Sequence, residues 1–180
     1  MTKLRKTFIF IFLVIVTINI TSCGFKARGP ITLAPQLYKL NLHAQNPYGQ
    51  LTKNLETYLK ASNVTLVKNP EESTAILYIL NESKSQVLIG ISGTQQTRQY
   101  NLILKAGFQV TDPTGKILVP PQAITESRTL TIKADQILAG SNEANSLYRQ
   151  MQQSLSYNIM LKLGSIDTTN LIKSNSETTP

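Results

Sequence analysis

The sequence predicts an α+β domain: a single mostly antiparallel (mixed) sheet of about four to five strands with two helices packed on one face. Three observations predict it. A short alternating strand and a helix-spaced stretch come first, residues 64 to 133 then run mainly at a period of two, and a long amphipathic stripe closes the fold with Leu147, Met151, Leu155, Ile159 and Leu163.

Tyr38, Leu40 and Leu42 alternate with Lys39 and Asn41, giving the first strand. Asn46 then Pro47 reads as a helix start, an N-cap side chain followed by a proline whose missing N–H costs nothing there. Leu51, Leu55, Tyr58 and Leu59 continue at helical spacing until Ala61-Ser62-Asn63. Val64 to Val67 is short and apolar, Asn69-Pro70 turns the chain, and Thr74 to Asn81 is apolar on both faces, as a central strand requires.

Gln86 to Ser92 and Thr97 to Val110 read as the arms of a hairpin, the second alternating through Tyr100, Leu102, Leu104, Ala106, Phe108 and Val110. Asp112-Pro113-Thr114-Gly115 is a turn, with the proline pre-setting its first central dihedral. Ile117 to Val119 is brief, and after Pro120-Pro121 a second long alternation runs from Ile124 to Lys133. A helix capped by Ser141 or Asn142 then carries the closing stripe.

The N-terminus carries an export signal. Lys3, Arg5 and Lys6 precede an apolar stretch from Thr7 to Ile20, which at about 14 residues is short of the roughly 20 that span a membrane. It ends Ile20-Thr21-Ser22-Cys23-Gly24, which is similar to a lipobox, so cleavage before Cys23 and lipidation of that cysteine are expected. Cys23 is the one cysteine of the chain and has no intramolecular disulfide partner. Bacterial lipoproteins kept at the inner membrane usually carry Asp after the cysteine, and here that residue is Gly24. The expected address is the outer membrane, on a periplasm-facing lipid anchor.

The expected organisation is a signal peptide at 1–22, a lipidated tether at 23–37 rich in Gly and Pro, the α+β domain at 38–163 and a disordered tail at 164–180. The Ser, Thr and Asn of that tail bury too little apolar area to offset ordering entropy. Three of the 18 basic residues leave with the signal, so the mature chain carries 15 against 10 acidic ones.

Catalysis finds little to work with. His43 is the one histidine, beside Asn and Gln at the end of a strand, and reads as a surface residue. The mature chain has no Cys or His pair at ligand spacing, so no metal and no cofactor are expected. Glu71, Glu72, Asp112 and Asp135 read as turn and loop residues. Gly90 and Gly93 bracket Ile-Ser, but without the flanking helices of the RNA-binding fold that uses such a loop they read as hairpin bending. Export also counts against nucleic acid. The remaining feature is the basic excess: either its lysines and arginines are scattered and solvated, or some of Lys84, Arg98, Arg128 and Lys133 converge at the hairpin end and hold anionic groups. Alternation puts Arg128 with Leu130, and Lys133 on the opposite face.

Beyond these single features, an ordered set of motifs recurs. The set comprises the lipobox with Cys23-Gly24-Phe25-Lys26-Ala27-Arg28-Gly29, then Asn46-Pro47-Tyr48-Gly49-Gln50-Leu51, Asn63-Val64, Thr97-Arg98-Gln99-Tyr100 and Leu138-Ala139. Asp112-Pro113-Thr114-Gly115-Lys116 with Val119-Pro120-Pro121 belongs to the same pattern. From the signal to about Leu163 the chain resembles the lipopolysaccharide-assembly lipoprotein family LptE. That resemblance implies a non-enzymatic plug of the outer-membrane β-barrel LptD that, together with it, inserts lipopolysaccharide into the outer leaflet. Direct binding of lipopolysaccharide by Arg98, Lys133, Arg128 and Lys84 is the expectation that follows if the basic residues hold anionic groups. Threonine- and glutamine-rich strand faces suit a wet barrel lumen. The competing expectation is a periplasm-facing lipoprotein adaptor of another envelope complex.

Overall fold

A computed structural model describes residues 31–94, 96–133 and 135–177, with backbone alone for 137–139 and 177. The signal segment and Cys23 lie outside the described residues. Within them run β1 (Lys39–Ala44), α1 (Gln50–Ala61), β2 (Thr65–Leu66), β3 (Ala75–Ile91), β4 (Thr97–Thr111), β5 (Ile117–Lys133), α2 (Ile137–Leu163) and α3 (Ile166–Glu177). The strands form one sheet in the order β2-β1-β3-β4-β5. β1 pairs in parallel with β2 and β3, while β3, β4 and β5 form an antiparallel meander. The expected α+β class and mixed sheet are what the chain adopts, with three α-helices among the described residues in place of two.

The core lies between one sheet face and the helices. Leu40, Leu77, Ile79, Leu102, Leu104, Ala106, Phe108, Val110 and Leu130 meet Leu51, Leu55 and Leu59 of α1 and Met151, Leu155, Ile159 and Leu163 of α2. Each of the larger side chains removed from water there contributes roughly 1.5–3 kcal/mol. Polar anchors fix the helices in register: the Ser156 hydroxyl on α2 donates to the Leu51 carbonyl at 3.1 Å, and Gln152 Nε2 donates to Glu82 on β3 at 2.6 Å.

Local chemistry sets the ends of α1. Asn63 takes a left-handed φ of 62°, Val64 N–H reaches the Leu59 carbonyl and Asn63 N–H the Lys60 carbonyl, both at 3.0 Å. This is a Schellman cap, with buried Val64 as its apolar clasp. At the other end the helix begins at Gln50, and Asn46 serves through its carbonyl, which accepts from Gly49 N–H and the Thr52 hydroxyl.

Several expectations are corrected. The expected strands Thr74–Asn81 and Gln86–Ser92 merge, but for their outermost residues Thr74 and Ser92, into one continuous strand, β3, because an irregularity between Ile79 and Glu82 absorbs Leu80 and Asn81 without ending the ladder. Ile117–Val119 and Ile124–Lys133 likewise form one strand, since Pro120 and Pro121 lie on the outer strand, where a missing N–H is tolerated. α2 begins at Ile137, before Ser141. The fold also starts earlier than Tyr38: Leu33, Ala34 and Leu37 of the expected tether are buried in the core. The expected disordered tail folds for most of its length. The Ser165 hydroxyl accepts from Thr168 N–H at 3.3 Å at the start of α3, Thr168 and Ile172 are buried, and Asn175 Nδ2 donates to the Leu118 carbonyl. One isoleucine on the right face outweighs the polar composition.

Candidate functional site

Register assigns the basic residues to faces. Residues paired across strands share a face, so the helix-side face reads in rows across β3, β4 and β5: Lys84–Leu104–Glu126, Gln86–Leu102–Arg128, Leu88–Tyr100–Leu130 and Ile91–Arg98–Ile132. Arg98 and Lys133 stand at the free end of the meander, but Lys133 pairs with Thr97 on the opposite face. Arg128 is two rows in from Arg98. Lys84 is further still, since its partner Leu104 is six residues from Arg98, roughly 20 Å at the strand rise. The four cations do not form one cluster.

Arg98 has a distinctive setting. Its cross-strand neighbours are Ile91, 55% exposed, and the half-buried Ile132, and Leu88 in the next row is 46% exposed. Val87 and Ile89 are exposed beside Leu88 along the strand, Val87 pairing with Asn101 on the opposite face. A cation therefore stands among aliphatic side chains beyond the core, an amphipathic surface of a kind that normally marks a binding site. The unbroken run Val87-Leu88-Ile89 was its signal in the sequence, where alternation would have given one buried and one wet face.

The other candidates are occupied or isolated. Lys84 Nζ lies 5.5 Å from the ring centroid of Tyr148, a cation–π contact, and the Tyr148 hydroxyl donates to the Ser85 carbonyl at 2.9 Å. Burial raises the Tyr148 phenol above its ordinary range. Lys84 also borders a cleft of about 720 Å³ formed by the end of β1, the start of α1, Glu82 and Gln152. Lys133 lines a smaller cleft of about 450 Å³ with Gln96, Thr97 and Asp135. His43 is exposed and its ring meets Tyr78 at a centroid distance of 5.2 Å. Among the described residues no three His, Cys, Asp or Glu side chains gather at metal-binding distance, and no helix is long and apolar enough to cross a membrane.

The opposite sheet face is polar along β5, where Thr125, Ser127, Thr129 and Thr131 are exposed beside Lys105, Asn101 and Gln99 of β4. Asp112 holds the β4–β5 turn. Burial pushes its carboxyl up, but the Thr114 hydroxyl and the N–H groups of Lys116, Thr114 and Gly115 outweigh this and hold it below the ordinary value. The Thr114 hydroxyl donates to it at 2.6 Å and the Lys116 N–H at 2.9 Å.

Sheet, one-sided helices and a cation-bearing amphipathic end define the class, an α+β domain whose distinctive chemistry lies on an exposed strand surface. The same fold occurs in solved structures of lipoprotein B from Nitrosomonas europaea, with a TM-score of 0.66 over 82% of this chain and 95% of that one at 22% identity, and of rare lipoprotein B from Shewanella oneidensis, with a TM-score of 0.64 over 73% and 98% at 23% identity. The family model for lipopolysaccharide assembly, LptE, matches residues 39–163, and the chain belongs to that family. Similar relatives are the LPS-assembly lipoproteins LptE of Yersinia enterocolitica, 30% identical over 89% of this chain and 77% of theirs, and of Pectobacterium atrosepticum, 27% identical over 87% and 85%.

Proposed function

We propose that the chain is an outer-membrane lipoprotein, anchored by lipid on Cys23, that plugs and supports the LptD β-barrel and binds lipopolysaccharide directly without catalysing a reaction. The observation that carries the binding step is the Ile91–Arg98–Ile132 row with exposed Leu88 beside it. Lipopolysaccharide joins phosphates to acyl chains. The Arg98 guanidinium can pair with a phosphate in a charge-assisted bond of about 1.5–3 kcal/mol, and the aliphatic neighbours give acyl carbons a dry contact. Lys133, Arg128 and Lys84 add positive field around this point rather than a second contact in the same row.

The plug reading rests on family membership and on the other sheet face. A row of exposed threonines, Ser127, Asn101 and Gln99 suits a water-filled lumen, where an apolar face would be left unpartnered. Affinity purification of the full-length chain from detergent-solubilised membranes tests it. The expected result is stoichiometric recovery of the LptD barrel; recovery of the chain with a different envelope complex and no barrel would overturn the plug.

A further inference from the structure

β5 is an outer strand of the sheet, and its outward backbone groups are treated unevenly along its length. At its start Asn175 of α3 donates to the Leu118 carbonyl at 3.1 Å, and Pro120 and Pro121 have no N–H to offer. From Gln122 to Ile132 no backbone group is bonded outside the β4 ladder among the described residues. The pairing with β4 is regular throughout that stretch, its irregularities lying before it at Phe108 to Thr111. An open regular edge without proline, bulge or lysine is a template for another strand.

The midpoint of Gln122–Ile132 is Ser127, and the sequence is self-complementary about that point. In an antiparallel pair centred there, Glu126 faces Arg128 of a second copy and Arg128 faces its Glu126, while Thr125 meets Thr129 and Ile124 meets Leu130. Glu126 and Arg128 both lie on the helix-side face, opposite Leu104 and Leu102 of β4. Arg128 is exposed and has no carboxylate partner among the described residues; Glu126 accepts from Asn158 Nδ2 and keeps a second carboxylate oxygen. The centre that uses the whole free edge is therefore the centre that pairs the charges.

We propose that, outside any complex, two copies of the chain join through their β5 edges, antiparallel about Ser127, with two Glu126–Arg128 pairs across the seam. The interface is isologous, as a two-fold dimer requires, and no charge is left facing its like. The structure thereby assigns Arg128 to self-association rather than to the Arg98 row.

Disulfide trapping in the full-length lipidated chain, purified from membranes in detergent and separated from any barrel by size exclusion, tests this. The two-fold axis brings residue 127 beside its own copy at a Cα separation of about 4.5–5.5 Å, within the range a disulfide bridges. Ser127→Cys is expected to give a cross-linked dimer on mild oxidation. Thr131→Cys, whose copy lies roughly 26 Å away along the edge, is expected to give none, since the thiol of Cys23 is taken up by its lipid. In the Ser127→Cys background, Arg128→Glu or Glu126→Arg alone should lower the cross-linked fraction at least about fivefold, since each places like charges opposite twice per dimer; the two together should restore it. Equal trapping at 127 and 131, no trapping at 127, capture of a different polypeptide by the thiol introduced at 127, or failure of the double swap to restore trapping would each overturn the self-pairing.

Discussion

Gly140 of α2 lies so close to Ile132 of β5 that a Cβ added to it would stand 2.7 Å from Ile132 Cδ1 and 2.8 Å from both Cγ1 and Cγ2. A β-branched side chain cannot swing all three carbons away through one rotamer change. Helix propensity alone favours alanine over glycine by about 0.5–1 kcal/mol, whereas overpacking a fitted contact costs about 1–3 kcal/mol. Gly140→Ala is therefore expected to lower stability by roughly 1 kcal/mol, read as a fall in the denaturant midpoint. A rise would show that the contact between α2 and β5 is slack.

Leu102 tests the core. It is fully buried between the central meander and the helices, so Leu102→Ala is expected to cost about 2–5 kcal/mol. Ile103, half-buried on the other sheet face, should cost less than half as much when cut to alanine. Equal losses at the two positions would contradict the assignment of faces.

The contrast between those two residues was legible in the sequence, because period two is written along β4 without interruption. So were the stop of α1 at Asn63 and the Asp112–Gly115 turn, where side-chain chemistry decides the backbone. What was hidden depends on partners far along the chain. Leu80 and Asn81 look like the end of a strand until β4 carries the ladder past them. Pro120-Pro121 looks like a break until β5 proves to be an edge. Gly140 looks like the residue before a helix start until Ile132 is seen to need its missing Cβ. At the candidate site Arg98 was visible as a charge in a motif, but its aliphatic neighbours Ile91 and Ile132 come from two other strands, and only register places them.

Residues after Leu163 offer a sharper test of the same lesson. Ile172 is fully buried in a helix that composition alone would not predict. Ile172→Ala is expected to cost about 2–5 kcal/mol and to raise hydrogen exchange across α3. An unchanged denaturation midpoint would return the segment to a free tail.

Asp112 gives a pH dependence of known sign. Its carboxyl is held below the ordinary value of 3.8 in the folded chain, so the stability it contributes is present above that value and is lost as pH falls through the lower folded one. Asp112→Ala should be less stable than the parent at pH 7, the gap closing as pH falls below about 4. A gap of constant size from pH 7 to pH 2.5 would show that the carboxylate charge plays no part in the turn.

Lipopolysaccharide titration of the purified chain tests the central claim, with the parent, Arg98→Glu and Lys133→Glu compared at low salt. The two cations sit at the same end of the sheet on opposite faces, so the measurement separates a specific site from diffuse charge. Arg98→Glu should weaken binding about tenfold or more, as loss of one charge-assisted phosphate contact implies. Lys133→Glu should weaken it less than about threefold, an effect that screening removes near physiological ionic strength. Parent-like affinity for Arg98→Glu, or equal losses for the two variants, would contradict direct lipid binding at the Ile91–Arg98–Ile132 row.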